Sequence, residues 1–126
     1  MERVPLADAL GRALLEDAVA TATLPPWDNS AMDGYAVRAA DVADASPEAP
    51  VALRVVGSVR AGEPTRMTLA GGEAVRIMTG APIPVGADSV VRVEDTDEED
   101  TPGSVRVLSG RDAHRNVRPG GQDMRP

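Results

Sequence analysis

The sequence predicts a mostly β fold, a compact antiparallel β-barrel or sandwich-like domain with a short N-terminal helix. Three observations carry that expectation. Of the 126 residues 42% are hydrophobic, yet aromatics make up 2% and Phe is absent. The core is therefore built from Val, Ala, Leu and Ile, and small β-branched side chains suit the thin layers between sheets. From Val51 onward, "VALRVVGSVR", "GEAVRIMTG", "DSVVRVED" and "SVRVLSG" alternate apolar with polar residues, the period of half-buried strands. Between them lie "AGEPTR", "APIPVGA" and "DTDEEDTPG", all rich in turn-forming residues. Short strands joined by tight turns make small barrels and sandwiches.

The elements follow in order. "PLADALGRALLEDAVA" opens with Pro5, a favoured first helical residue. Leu6, Ala9 and Leu10 share a face and Gly11 stops the helix after one to two turns. An extended segment runs from there to Pro25 and Pro26, which end whatever precedes them. "YAVRAADV" reads as a strand followed by a polar turn, and "DASPEAP" as a surface connection. Four further strands then alternate with turns. The glycine-rich "NVRPGGQDMRP" stops without a terminating element, and Met1 stands close to the first helix with no lead-in. The chain is therefore expected to be a fragment of a longer protein.

Composition narrows the chemistry. The formal net charge is -7 and every basic residue other than His is an Arg. An acidic surface repels nucleic acid and anionic membranes, yet a local Arg can still hold a small oxyanion. Without Cys there are no disulfides, thiolate nucleophiles or zinc-thiolate sites, and the single His114 excludes any site built on two imidazoles. No apolar run approaches the roughly 20 residues of a membrane span, and charge interrupts the first residues where a signal peptide would be apolar. A soluble, cytoplasmic protein is expected.

The candidate chemistry sits in three places. "PPWDNSAMDGYAV" holds the only Trp, Trp27, and the only Tyr, Tyr35, around Asp28, Asn29, Ser30 and Asp33. Asp33-Gly34 suits a hairpin turn because Gly accepts positive φ, and Asp28, Asn29 and Ser30 suit an Asx-turn or cap. Two carboxylates, an amide and a hydroxyl exceed what a hairpin needs, so turn and ligand site both stay open here. In "TGAPIPVGAD", Thr79 and the amides after it read either as a strand-end turn or as a nest for an oxyanion. "EDTDEEDTPG" fails the calcium-loop pattern, since the sixth residue from Asp95 is Asp100 rather than Gly. It reads as a solvated acidic hairpin. Near the end, Arg115 and Arg118 suit phosphate or the acidic loop, His114 reads as an exposed side chain, and Asp123 suits a hard divalent cation.

Taken in order, "PLADALGRALLEDAVA", "LPPWDNSAMDGYAVRAAD", "GSVRAGEP", "GEAVRIMTGAPIPVGADSVVRVED" and "NVRPGGQD" resemble the molybdopterin molybdotransferase family, the bacterial MoeA and animal gephyrin type. "NSAMDGYAV" and "TGAPIPVGAD" are the most diagnostic of these stretches. Two positions depart from the pattern: Trp27 stands where Phe is usual, and Gln122 where an acid is usual.

The resemblance implies an enzyme that inserts molybdenum from molybdate into adenylyl-molybdopterin, releasing AMP, with Mg2+ as divalent cation. It implies catalytic roles for Asp33, Thr79 and Asp123, and metal ligation by Asp33 and Asp123. Substrate or cofactor contacts fall to Ser30, Met32, Gly34, Gly80 and Ala81. It further implies a homodimer in the full-length protein, with no nucleic-acid or membrane partner. Residues 27–117 would form the β domain carrying both loops. Residues 1–26 and 118–126 would belong to an elongated linker domain. The family's large αβ domain and C-terminal β domain are not in this chain, which would then carry one wall of an active site and be inactive alone. Two other readings are a scaffolding module of a gephyrin-like protein and a stand-alone small-ligand binder.

Overall fold

A computed structural model describes residues 1–126. Seven strands form, β1 (Asn29–Ser30), β2 (Gly34–Val37), β3 (Val51–Val59), β4 (Glu73–Ile77), β5 (Ser89–Arg92), β6 (Ser104–Val107) and β7 (Val117–Arg118). Five of them make one sheet in the order β5-β2-β4-β3-β6, and β1 with β7 makes a second, two-stranded one. The larger sheet curls until its edges meet. Residues just beyond β5 bond to β6 and its exit, with the Asp97 N–H donating to the Arg106 carbonyl (3.1 Å) and the Leu108 N–H to the Asp95 carbonyl (2.8 Å). Closing the sheet this way leaves neither edge strand as a bare template.

The mostly β expectation holds, with one correction to its antiparallel character. β3 and β4 run parallel, in a register broken by a bulge between Val55 and Gly57. Parallel neighbours need a crossover of about a dozen residues, and residues 60–72 supply it. The other three pairings of this sheet are antiparallel.

Alternation sorts the strand residues onto two faces. Tyr35, Val37, Leu53, Ala74, Val91, Val105 and Val107 form one core cluster. Ala36, Val59, Val75, Ile77 and Val90 face the other way, against Leu69 and Ala81. All four residues of β2 are buried, because this strand is covered on both faces. A near-continuous apolar run such as "YAV" is what that position demands. Each fully buried Val or Leu contributes about 1.5–3 kcal/mol.

The N-terminal helix is a single 3-10 turn, Leu6–Asp8, with no buried residue, and Gly11 follows at φ 81°. Leu6, Leu10, Leu14, Leu15 and Val19 are all exposed. Without a surface to pack on, an apolar helical face gains too little to extend the helix. The polar turn after β2 is a short helical turn, α1 (Ala39–Val42). Asp88 accepts its first N–H, from Ala39, at 2.7 Å. The acidic loop is less solvated than its composition implies. Asp95 pairs with Arg111, Asp97 with Arg106 and Glu99 with Arg76. No helix is long and apolar enough to cross a membrane.

Candidate active site

Register places Asp33 beside Thr79. Gly34 faces Ile77 across the β2–β4 ladder, so the residue before β2 meets the loop leaving β4. One oxygen of Asp33, Oδ1, accepts both the Thr79 N–H and the Thr79 hydroxyl, each at 2.8 Å. The Asp33 carbonyl takes the Val93 N–H at 3.1 Å. The Thr79 bonds fix the carboxylate and the Val93 bond fixes the main chain that carries it, while Oδ2 receives no protein donor. The Thr79 N–H first, and then its hydroxyl, hold the Asp33 carboxyl below its ordinary range, since both bonds favour the charged form. Asp33 is therefore a fixed, ionised carboxylate at neutral pH.

Asp33 opens onto a cleft of about 270 Å³ lined also by Gly34, Tyr35, Arg76, Met78, Val93 and Glu98. Gly34 does not occupy a positive-φ turn position, which corrects the hairpin reading of Asp33-Gly34. Its role is close approach: a Cβ there would lie 1.9 Å from the Val91 carbonyl oxygen. Burial pushes the Tyr35 phenol up, so it stays protonated and donates to Glu99 Oε1 at 3.0 Å. Arg76 pairs with the same Glu99 oxygen, and its guanidinium carbon lies 5.9 Å from the Tyr35 ring centroid.

The other expected site residues divide into two groups. Ser30, Gly80 and Ala81 form a clip between the two loops. The Gly80 N–H donates to the Ser30 carbonyl (2.8 Å) and the Ser30 N–H to the Ala81 carbonyl (2.9 Å). Ser30 Oγ turns back onto the Met32 carbonyl at 2.6 Å, and Met32 packs on the second core cluster. The Ala81 N–H goes to the Met78 carbonyl at 3.0 Å. Every N–H of residues 79–81 therefore has an acceptor within the chain, as in a strand-end turn. The oxyanion nest is not formed.

Asp123 stands apart. Its two oxygens accept Arg118 Nη2 at 3.2 and 3.0 Å, and its N–H donates to the Leu24 carbonyl. It lines no cavity and does not share the cleft with Asp33. Asp28 ties this region to the first loop by accepting the Gly120 N–H at 2.8 Å. No three His, Cys, Asp or Glu side chains come together as metal ligands. A divalent cation needs several oxygen ligands, and one free carboxylate oxygen on Asp33 does not complete such a set. The residues of this chain alone do not fit an Mg2+ site.

Reading the sequence missed Arg76. A signal was present: in "EAVRI" the alternation puts Val75 and Ile77 on one face, leaving Arg76 on the opposite face with Ala74. A charge at that position needs partners, and Tyr35 and Glu99 provide them.

Fold and site together define a small closed-sheet domain that presents a fixed carboxylate at the start of β2, sharing a cleft with an arginine of β4. The family model described as the MoeA N-terminal region (domain I and II) matches residues 1–126, and the chain belongs to that family. It is 48% identical over 126 residues to a molybdopterin molybdenumtransferase of Synechococcus elongatus, covering 99% of this chain and 31% of that protein. It is 50% identical over 93 residues to the Bacillus subtilis protein of that name, covering 74% of this chain and 22% of the relative. A crystal structure of a molybdopterin biosynthesis MoeA protein from Pyrococcus horikoshii superposes with a TM-score of 0.84 at 35% identity. That match covers 98% of this chain and 32% of the other. The chain thus spans less than a third of the length of the curated relatives it matches.

Proposed function

We propose that this chain supplies one wall of the active-site cleft of a molybdopterin molybdenumtransferase. That enzyme would insert molybdenum from molybdate into adenylyl-molybdopterin and release AMP. The Asp33–Thr79 pair carries the reading: one carboxylate oxygen is spent on holding its position, and the other is left without a protein donor. An ionised, prepositioned carboxylate suits a ligand or an electrostatic contact better than a general acid, because the Thr79 bonds favour its charged form. Thr79 is then a positioning residue for Asp33.

The remaining parts of the reading are carried by the resemblance. Residues 27–117 act as the β domain, and 1–26 with 118–126 as parts of a linker domain. The full-length protein works as a cytoplasmic homodimer, and the opposite wall of the cleft comes from outside this chain. Mg2+, if the reaction uses it, takes most of its ligands from that opposite wall. Asp123 contributes by holding Arg118 rather than by joining Asp33. The isolated chain does not turn over. Rescue of a strain deficient in molybdenum cofactor, by the complete gene carrying Asp33→Ala or Thr79→Ala, tests the assignment. Impaired rescue by both variants is expected, and unimpaired rescue by both removes the site and favours a scaffolding role.

A further inference from the structure

The cleft beside Asp33 is short of hydrogen-bond donors. The Thr79 amide and hydroxyl both point at Asp33. The Gly80 and Ala81 amides go to the Ser30 and Met78 carbonyls, and the Val93 amide goes to the Asp33 carbonyl. The Tyr35 hydroxyl is given to Glu99, and the Glu98 amide to the Thr96 hydroxyl. A tetrahedral oxyanion needs N–H or O–H donors and a compensating positive charge. Arg76 is the one cationic side chain that lines this cleft, and only its Nη2 donates to a protein acceptor.

Its guanidinium is held in place without being used up. Glu99 takes one nitrogen, and the Tyr35 ring lies beneath the charge, an arrangement that limits side-chain freedom. The side chain is still 45% exposed. It also lines an adjoining cavity of about 350 Å³ with Ser58, Gly57 and Gly103. Arg76 shares the cleft with the carboxylates of Asp33 and Glu98 and forms no ion pair with either, its one salt bridge being to Glu99.

We propose that Arg76 is the oxyanion-binding residue of the Asp33 cleft, its remaining guanidinium N–H groups holding one tetrahedral oxyanion of the substrate. That group is either the metal oxyanion or a phosphate of the nucleotidylated pterin, and both present the same oxygens to a guanidinium. The inference rests on the molybdotransferase reading of the site and names the residue that meets the anion.

The closed sheet with its own two core clusters allows the test on this chain as it stands. Nitrogen-15 labelled chain is titrated with sodium molybdate, sodium phosphate or AMP, with sodium chloride as control at matched ionic strength. The Arg76 Nε–Hε signal is followed. A saturable shift absent with chloride is expected for at least one of the three. Arg76→Gln is expected to weaken that binding about tenfold or more, with Arg76→Lys in between. Tighter binding of molybdate assigns the site to the metal oxyanion, and tighter binding of AMP or phosphate assigns it to the pterin phosphate. No saturable shift with any anion overturns the proposal. So does an Arg76→Gln chain, folded by its amide spectrum, that binds as the wild type does. Failure of the molybdotransferase reading is scored separately, by the rescue experiment with Asp33→Ala and Thr79→Ala.

Discussion

Asp33 illustrates how two short polar segments, distant in the chain, become one chemical unit. Its carboxylate is prepared by Thr79, and the order of the two contributions matters. The Thr79 N–H lowers the Asp33 pKa most and the hydroxyl adds to it. Thr79→Val removes only the hydroxyl bond, so it raises the pKa part of the way back towards the ordinary 3.8, and Thr79→Ser leaves it low. Because the folded-state pKa is depressed, the stabilising contribution of this contact is present above the ordinary value and fades as pH falls through the folded value. Carboxyl carbon shifts of Asp33 against pH check this, and a Thr79→Val titration unchanged from wild type contradicts it. Asp33 itself was legible as an excess of polar groups in a loop. Thr79 was legible in a "TGAP" turn, but spending both its donors on Asp33 was not, because that depends on strand register. Arg76 was hidden for a similar reason. Its importance comes from Tyr35 and from Glu99 in the acidic loop, neither of which is near it in sequence.

The strands were legible from their period of two, and their arrangement was not. The β3–β4 crossover makes those two strands parallel, yet nothing in "AGEPTRMTLAGG" distinguishes a crossover from a long hairpin loop. Gly34 shows the same limit at the junction of two elements. A glycine after an aspartate suggests a turn locally, whereas the ladder requires it because β5 passes too close for a Cβ. Gly34→Ala is therefore expected to destabilise the domain by on the order of 3 kcal/mol through overpacking, measured by denaturant unfolding. An unchanged midpoint would show that β5 has room to move. An ion pair with a buried carboxylate fixes the loop between β6 and β7 to β5. Asp112 is 1% exposed and takes both Arg92 Nε and Nη2 at 2.9 Å, with the Arg92 N–H at 3.1 Å. Burial alone would raise the Asp112 pKa, and the Arg92 fork outweighs it, leaving the carboxyl below 3.8. Its stabilising contribution is present above that value and is lost as pH falls through the folded pKa. Asp112→Asn is expected to lower stability at neutral pH and to flatten its decline in that acid range. Equal acid sensitivity of variant and wild type contradicts the assignment.

At the scale of the whole molecule, the closed sheet carries its own core while the first twenty residues bury nothing. The barrel expectation followed from composition. The extended, exposed N-terminal segment was only partly legible, because local pattern cannot say whether an apolar face has something to pack against. In the proposed function the Asp33 cleft has one wall in this chain, which covers 31% of its Synechococcus relative. The central claim is that the Asp33–Thr79 pair at this wall is the working site of a molybdenum-inserting enzyme. Molybdenum insertion by the purified complete protein, with adenylyl-molybdopterin and molybdate as substrates, tests it most directly. The account predicts that Asp33→Asn lowers turnover about a hundredfold or more, that Thr79→Ser retains most of it, and that Thr79→Val falls between. Wild-type turnover by folded Asp33→Asn would contradict it.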